Sequence, residues 1–312
     1  MNRLLIRNCF FVFWLALFHS SVQSQNQTQS RLFNFNPQLF NVAYLGAENK
    51  TNVLLFYRQQ WLNINDGPVN YGFNFQYPTK KNLSLGFYYN ASETVLLRTD
   101  GLLASFAYKV SFSEEHTLRF GISGGASFFR LDLDGADFSN DPAVLNAVSG
   151  NAYAIGNFGL LYRFKKIKIG VALPELFGKN HLTKSGKFTQ LLNQIYSFSG
   201  DYKFKSWRDD FYVTNYLLYR LSYDYQNNWE VGGVLSMRNL LKAGLSYRQN
   251  SGLGFLIGVR APSMFGFSYS FESKPFSSES IGTYSHELHL DFNIQDIIKA
   301  GTKSAGSATP TQ

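Results

Sequence analysis

Residues 69–78 read VNYGFNFQYP, and this stretch decides the fold class. Its large apolar side chains alternate with asparagine, glutamine or glycine; they are Val69, Tyr71, Phe73, Phe75 and Tyr77. This alternation indicates a β-strand with one apolar and one polar face, because successive side chains of a strand point to opposite faces. A single strand of this kind also fits the core of a soluble sandwich, so the fold depends on how often the pattern recurs.

The same period of two recurs along nearly the whole chain, for example at 83–89, 241–248, 265–272 and 287–292. In each case one face is apolar or aromatic, and the other carries mainly small, polar or charged residues. Single-chain bacterial outer-membrane barrels contain an even number of antiparallel strands. We predict fourteen strands, near residues 51–58, 68–77, 81–90, 99–112, 116–130, 152–164, 166–173, 194–204, 211–222, 227–237, 238–248, 252–261, 263–273 and 283–292.

The composition supports an all-β transmembrane barrel. Aromatic residues make up 17% of the chain and charged residues only 16%, whereas charged residues are about 25% of a typical soluble domain. A sandwich of this length would normally divide into two domains, and no linker is visible. In lipid every backbone N–H and C=O group must be paired internally, so the first strand is expected to pair with the last.

The first residues predict export from the cytoplasm. Arg3 and Arg7 precede a ten-residue apolar run at 9–18, and small residues follow before a predicted cleavage site near Ser24–Gln25. This is the pattern of a secretory signal peptide, and the run is too short for a transmembrane helix. Cleavage would remove Cys9, which is the single cysteine of the chain.

These observations divide the chain into four parts. We predict a signal peptide at 1–24, an N-terminal periplasmic or lumenal plug segment at 25–50, the outer-membrane barrel at 51–292 and a flexible tail at 293–312. The tail is rich in Gly, Ser and Thr, a composition that does not bury enough apolar surface to fold.

The connections between the predicted strands differ in length. Lys165–Lys166, Met237–Arg238 and Ala261–Pro262 are predicted to be tight turns on the periplasmic side. The long connections are predicted to be surface loops or lumenal inserts, as in other outer-membrane barrels; they lie near 131–151, 174–193 and 273–282.

The formal net charge is +8, and removal of Arg3 and Arg7 lowers it to +6. The lysines and arginines are scattered singly and form no stripe of the kind that binds nucleic acid. We therefore expect no nucleic-acid partner and interpret the excess charge as a basic lumen or rim.

No group of residues predicts catalysis or a cofactor. HELH at 286–289 lacks the helical spacing of a zinc motif, and in a strand His286 and Glu287 would point to opposite faces. DLDGAD at 132–137 resembles part of a calcium loop but lacks its final glutamate, so a polar loop is favoured and a weak surface calcium site is the alternative. We predict that the protein is not an enzyme.

The sequence also resembles a known family. In residues 33–78, Asn41-Val42-Ala43-Tyr44-Leu45-Gly46 is similar to the Asn-Pro-Ala-Tyr-Ala-Gly element of the PorP/SprF family of type IX secretion membrane proteins of Bacteroidetes. Arg58-Gln59-Gln60-Trp61 is similar to its Arg-x-Gln-Trp element, and Gly67-Pro68 to its Gly-x-Pro. The Asn140-Asp141-Pro142 loop, IKIGVALPELF at 167–177 and GTYSHELHLDF at 282–292 resemble later family segments, in the same order.

This resemblance implies a non-enzymatic protein integral to the bacterial outer membrane and surrounded by its lipid. It implies that the barrel works with the type IX secretion system and helps to secrete or anchor a large surface protein. Such a client would be similar to gliding adhesins and carry a type B C-terminal domain. A peptidoglycan-associated periplasmic lipoprotein and the ring components of the system are the other implied partners.

The same motifs supply the candidate partner-binding residues. Arg58 and Trp61 end the first predicted strand, and Gly67 and Pro68 shape the turn that follows. A girdle tryptophan with a neighbouring arginine at the membrane interface is an equally supported interpretation of the first two. Weaker candidates are Asp141, Pro142, His286 and Glu287, for which the alternative is a role in loop capping and in packing the barrel seam.

A second function remains open from the sequence. Fatty-acid transport barrels also have about fourteen strands, an N-terminal plug and an Asn-Pro-Ala element. A barrel of that kind would import hydrophobic solutes passively. Residues 25–50 are short for the hatch of such a transporter, which places this alternative second.

Overall fold

A computed structural model gives the chain as a closed antiparallel β-barrel. It describes residues 30–62, 65–79, 81–94, 97–131, 151–174, 176, 194–205, 210–221, 227–238, 240–249, 251–261, 265–273 and 284–298. Within these residues fourteen strands follow one another around the ring, and β14 pairs with β1, which confirms the predicted fold class. The strands are β1 (Asn52–Gln60), β2 (Val69–Pro78), β3 (Leu83–Thr94), β4 (Leu97–Ser111), β5 (His116–Leu131), β6 (Asn151–Phe164), β7 (Ile167–Leu173), β8 (Gln194–Lys205), β9 (Asp210–Leu221), β10 (Asn228–Met237), β11 (Leu241–Arg248), β12 (Gly252–Arg260), β13 (Phe265–Ser273) and β14 (Tyr284–Asn293).

The outer face of the barrel is apolar, because the alternating pattern places every second large side chain outside. Many of these side chains are more than a third exposed to the surroundings; examples are Phe106, Ile122, Leu245, Phe255 and Ile257. Water would disfavour so much exposed apolar surface, whereas lipid accepts it. The outer face is therefore the surface that contacts the membrane.

The hairpin of β3 and β4 is longer than the sequence pattern predicted. The expected strands end at residue 90 and begin again at residue 99, but β3 continues to Thr94 and β4 begins at Leu97. Two of the added outward side chains, Glu93 and Arg98, are charged, and Arg98 pairs with Glu93 at 2.6 Å and with Asp100 at 3.1 Å. Charged pairs at a strand end fit the region beyond the hydrocarbon, where the apolar half of the pattern is no longer needed.

The two mouths of the barrel differ in the length of their connections. Connections of two to four residues join the strand ends at the mouth where β1 begins and β14 ends, whereas the strand ends at the opposite mouth include those separated in sequence by 132–150, 174–193 and 274–283. Bacterial barrels have short periplasmic turns and longer extracellular loops. We therefore call the first opening the periplasmic mouth and the second the extracellular mouth.

The predicted tight turns lie at the periplasmic mouth. Lys165–Lys166 joins β6 to β7, with Lys165 at a φ of +53°. Arg238, at a φ of +51°, belongs to the turn between β10 and β11, so β11 begins at Leu241 and not at residue 238. Pro262, the second residue of the third predicted turn, lies outside the described residues.

The N-terminal segment, residues 30–50, lies inside the barrel. It contains two single-turn 3₁₀ helices, Pro37–Leu39 and Val42–Tyr44, and the Asn41 side chain accepts a hydrogen bond from the backbone N–H of Ala43. After β14 the chain forms one helical turn at 294–298. The predicted signal peptide and the rest of the predicted tail lie outside the described residues. Among the residues that are described, no helix is long and apolar enough to cross a membrane.

Candidate functional site in the barrel lumen

A buried ion pair crosses the seam where β1 meets β14. Arg58 and Glu287 are direct partners in the register of the two strands, and Nη1 of Arg58 lies 3.2 Å from Oε2 of Glu287. Both side chains face the lumen and are no more than 3% exposed. Both side chains therefore contact other parts of this chain. The sequence had predicted partner contacts for them, but in this arrangement neither presents a surface to a partner.

The N-terminal segment joins this pair. The backbone N–H of Arg31 donates to Oε2 of Glu287 at 2.7 Å, and its Nε donates to Glu272 at 2.8 Å. Nη2 of Arg58 contacts the same oxygen of Glu272 at 3.0 Å, and the Ser30 hydroxyl donates to Glu287. The start of the segment is thus held by carboxylates of both β13 and β14.

A third buried carboxylate extends the contacts around the wall. Glu230 accepts from Arg248 at 2.7 Å and from the Tyr216 hydroxyl at 2.9 Å, and it lies 3.6 Å from Arg220. Arg248 also donates to the backbone carbonyl of Ser30 at 2.6 Å. We call the seven charged residues of these contacts the lumenal ion cluster: Arg31, Arg58, Arg220, Glu230, Arg248, Glu272 and Glu287.

The lumenal ion cluster fixes one arrangement of the N-terminal segment. Four guanidinium groups face three carboxylates, and His289 adds a contact of 3.0 Å to Glu287. Buried ion pairs add little net stability, because the loss of hydration offsets their attraction, but removal of one partner costs about 3–5 kcal/mol. The cluster therefore specifies where the segment lies more than it stabilises the barrel.

Aromatic packing holds the middle of the segment. The Phe33 ring centroid lies 5.3 Å from that of Phe40, 5.9 Å from that of Tyr44 and 5.3 Å from that of Tyr216 on β9. Leu161 and Leu218 complete this buried cluster. Edge-on and tilted aromatic contacts at these distances are favourable, so the segment has an apolar core of its own inside a polar lumen.

Glycines on the lumenal face allow the segment to approach the wall. A Cβ atom at Gly121 would lie 2.5 Å from the backbone nitrogen of Ala43, and one at Gly159 would lie 2.0 Å from Oδ1 of Asn41. Arg119 then reaches over the turn and donates to the carbonyl of Ala43 at 3.1 Å. No side chain other than hydrogen leaves room for this contact, which explains why glycine stands at these two positions.

A cavity of about 960 Å³ lies between the N-terminal segment and the periplasmic mouth. We call it the vestibule. Its lining is rich in basic side chains, as expected for the predicted basic lumen or rim; they are Lys109, Arg119, Arg163, Lys165, Lys166, Lys168, Lys242 and Arg260. The acidic side chains of its lining are Glu48 and Asp291.

Trp61, Gly67 and Pro68 lie together at the extracellular mouth, between β1 and β2. Trp61 follows the last residue of β1 with a φ of +55°. The backbone N–H of Gln60 donates to the carbonyl of Pro68 at 2.9 Å, and a Cβ atom at Gly67 would lie 2.3 Å from the carbonyl oxygen of Gln60. The motif therefore forms a close backbone contact in which Gly67 is required, and Trp61 is partly exposed.

The remaining candidates are separated. His286 lies on the outer face of β14, beside Tyr269 and Phe271, while Glu287 faces the lumen, so the predicted opposite orientation is confirmed. Asp141 and Pro142 lie outside the described residues. In the part of the chain that the structure describes, no three His, Cys, Asp or Glu residues are placed to hold a metal ion.

Sequence reasoning identified Arg58 and Glu287 but missed the other members of the lumenal ion cluster. Glu272 and Arg248 each lie on the polar face of an alternating segment, so the sequence does place both side chains in the lumen. Comparing how far along its strand each charged residue lies would have indicated that the two could meet. Arg31 carries no such signal, because the irregular N-terminal segment has no period that assigns its side chains to a face.

The chain is similar to one known protein family and to several solved structures. A family profile described as "Type IX secretion system membrane protein PorP/SprF" matches residues 22–292. No curated protein matches the chain. The chain is similar to the solved structures of the CymD monoaromatic hydrocarbon channel (11% identity, 83% of this chain and 92% of that chain covered, TM-score 0.46) and of Omp33, an outer membrane protein of Acinetobacter baumannii (6% identity, 78% and 99% covered, TM-score 0.45). The two structural similarities are too low to assign a function to this chain.

Proposed function

The chain belongs to the PorP/SprF family of type IX secretion system membrane proteins, and on that premise we propose that it helps to secrete a large client protein or to hold it at the cell surface. The closed barrel with its apolar outer face is integral to the outer membrane. In the proposed role it is a non-enzymatic platform. The client is an adhesin-type surface protein with a type B C-terminal domain.

The observation that carries this proposal is the N-terminal segment inside the lumen. The lumenal ion cluster ties that segment directly to β11, β13 and β14. Through Arg58 and Glu230 it includes β1 and β10 as well, and the aromatic residues of the segment pack against β9. A barrel filled in this way favours docking over free passage of solutes. The strand ends at its two mouths are then held at fixed positions on either side of the membrane.

The two mouths of the barrel are proposed to contact different partners. Trp61, with the turn at Gly67 and Pro68, lies at the extracellular mouth and is the proposed contact for the client, together with Asp141 and Pro142 in the connection between β5 and β6. The periplasmic mouth is the proposed contact for a periplasmic lipoprotein and the ring components.

The other two sequence candidates take a different place in the proposal. Arg58 and Glu287 act indirectly, because they position the N-terminal segment. His286 is directed away from the lumen, so it is suited to contact with lipid or with a neighbouring membrane protein.

A gene deletion tests the role directly. Surface biotinylation and mass spectrometry should then show loss of one large adhesin from the cell surface, with restoration by the wild-type gene. Unchanged surface display in the deletion strain would contradict the proposal, and loss of fatty-acid uptake in its place would favour hydrophobic transport. The charged lumen gives no support to that alternative, since hydrophobic solutes prefer an apolar path.

A matched pair of variants tests the extracellular contact. Trp61→Ala should reduce the amount of client held at the surface, because it removes the largest side chain of the turn. Tyr57→Ala changes an outward-facing aromatic residue of β1, the strand that precedes Trp61; Tyr57 is 40% exposed, and its loss should leave the client in place. Equal effects of the two substitutions would contradict the assignment of Trp61.

Pull-down of the tagged wild-type barrel should also recover the periplasmic lipoprotein and ring components.

A further inference from the structure

The vestibule is a basic cavity that opens toward the periplasm. Its cationic side chains come from β4, β5, β6, β7, β11 and β12 and from the turn at 165–166. In a ring of fourteen strands, β5 and β12 stand on opposite walls. An occupant of the cavity would therefore meet positive charge on more than one side.

Several of these cations have no counter-ion among the residues that the structure describes. Arg260 pairs with Asp291 at 2.6 Å, and Lys165 lies 3.5 Å from Glu115. Among the described residues, by contrast, Lys109, Arg163 and Lys166 have no carboxylate within 4.0 Å. Charges of one sign in a low-dielectric cleft focus their field and raise the local concentration of oppositely charged ligands.

The floor of the vestibule offers hydrogen-bonding groups as well. The side-chain nitrogens of Asn34 and Asn36 and the side-chain oxygen of Gln38 are buried without a hydrogen-bond partner among the described residues, and all three residues line the cavity. Asn36 is only 3% exposed. Buried amide groups in proteins are nearly always paired, so these atoms indicate a ligand that supplies both acceptors and donors.

We propose that the vestibule binds an acidic polypeptide segment presented from the periplasm. A run of Asp or Glu residues carries its negative charges along a chain, which suits cations spread over opposite walls better than a single phosphate would. Its backbone supplies the carbonyl acceptors and N–H donors that the free amides lack. A volume of about 960 Å³ is at the upper end of the range of about 300–1,000 Å³ for ligand pockets, which leaves room for several residues.

The inference rests on the proposed function in one respect: the segment belongs to a client or to a component of the secretion system. The inference assigns an electrostatic role to the periplasmic mouth, where the positive charge of the vestibule attracts an acidic partner segment and sets its orientation. Electrostatic complementarity of this kind mainly speeds association and excludes partners of the wrong charge. An acidic segment would be accepted, and a basic one rejected.

Binding is tested with the purified full-length barrel in detergent and a fluorescein-labelled hexaglutamate peptide. Fluorescence anisotropy should rise on addition of the barrel and fall again with added salt, because salt screens charge attraction. A labelled hexaglutamine peptide of the same length should not bind. Absence of hexaglutamate binding at low salt would overturn the proposal.

Variants locate the binding. The triple substitution Lys109→Gln, Arg163→Gln and Lys166→Gln should weaken hexaglutamate binding about tenfold or more, and Arg163→Gln alone should weaken it severalfold. Lys81→Gln is the control, since Lys81 is exposed in the β2–β3 turn of the same mouth but outside the vestibule lining. Binding that is unchanged in the triple variant, or equally weakened by Lys81→Gln, would contradict the site. A heat-modifiable shift on gels verifies that each variant is folded.

Competitors separate an acidic peptide from other anions. Unlabelled hexaglutamate should displace the probe at lower concentration than tripolyphosphate or a soluble peptidoglycan fragment with free carboxylates. Equal or better displacement by either competitor would overturn the peptide assignment.

The same triple variant, expressed in the deletion strain, separates this inference from the proposed function. Normal surface display by a variant that no longer binds hexaglutamate would show that secretion does not use the vestibule, and the proposed function would stand. An unaltered surface in the deletion strain itself would overturn the proposed function, whatever the peptide measurement shows.

Discussion

Substitution of Glu287 by alanine should release the N-terminal segment from the barrel wall. The carboxylate accepts from the backbone of Arg31 at 2.7 Å, contacts Arg58 at 3.2 Å and lies 3.0 Å from His289. Glu287→Ala leaves four guanidinium groups of the lumenal ion cluster facing two carboxylates. Loss of one partner of a buried ion pair costs about 3–5 kcal/mol, and each 1.4 kcal/mol is tenfold in an equilibrium. The fraction of barrels with a displaced segment should therefore rise about a hundredfold to a few thousandfold.

A single cysteine in the segment reports this displacement. Ala43 is 0% exposed, and Ala43→Cys is the smallest change that places a thiol there; the single cysteine of the chain, Cys9, lies in the predicted signal peptide and is replaced by serine in the test protein. The thiol should react slowly with a bulky maleimide in the folded wild-type barrel and about a hundredfold or more faster in the Glu287→Ala background, because labelling requires opening of the protected site.

The neighbouring residue supplies the control for this measurement. His286 precedes Glu287 in β14 but lies on the outer face and makes no contact with the cluster. His286→Ala should change the labelling rate by no more than about threefold, as surface substitutions usually have small effects. Equal rates in the Glu287→Ala and wild-type backgrounds, or equal acceleration by His286→Ala, would refute the reasoning.

Two further predictions concern the wall itself. Gly121→Ala should lower the free energy of unfolding by about 1–3 kcal/mol, because the new methyl group meets the N-terminal segment at 2.5 Å. Gly124→Ala on the same strand should have little effect, because nothing lies within 4 Å of its Cβ position. Urea titration of the barrel in lipid vesicles compares the two variants. Ile122→Arg, in the middle of β5 and 54% exposed, should cost about 2–4 kcal/mol in the same titration because it places a charge in the hydrocarbon. Phe112→Arg, in the β4–β5 turn, should cost much less, and similar costs at both positions would contradict the assignment of the lipid-facing surface.

The strands were predictable because lipid and lumen impose opposite demands on alternate residues. In VNYGFNFQYP the period of two is strict, and β2 lies within one residue of its predicted bounds. The alternating pattern ends where the outer face no longer contacts hydrocarbon. Glu93 and Arg98 are the example, since their outward side chains pair with each other near the extracellular mouth. The pattern also fails at Arg238, where a positive φ and not hydropathy determines the turn.

The site was only partly predictable for a related reason. Arg58 and Glu287 stood out through a family resemblance, but their pairing across the β1–β14 seam depends on closure of a ring between residues 229 positions apart. The position of Arg31 depends on glycines and carboxylates from several distant strands, and no local pattern encodes that arrangement. The vestibule could not be predicted for the same reason, because its cations are scattered singly in the sequence and come together only when the barrel closes.

The central claim is that alternate residues of a closed ring of strands face lipid while the others face the N-terminal segment. A nitroxide scan along residues 118–128 of β5, one labelled cysteine at a time in reconstituted vesicles, measures this most directly. Oxygen accessibility should be high at Phe120, Ile122 and Phe128 and low at Ser123 and Ser127, with a period of two; Gly121 is left out of the scan, because a label there would displace the N-terminal segment. Uniform accessibility along the strand, or high values at the second set of positions, would contradict the account.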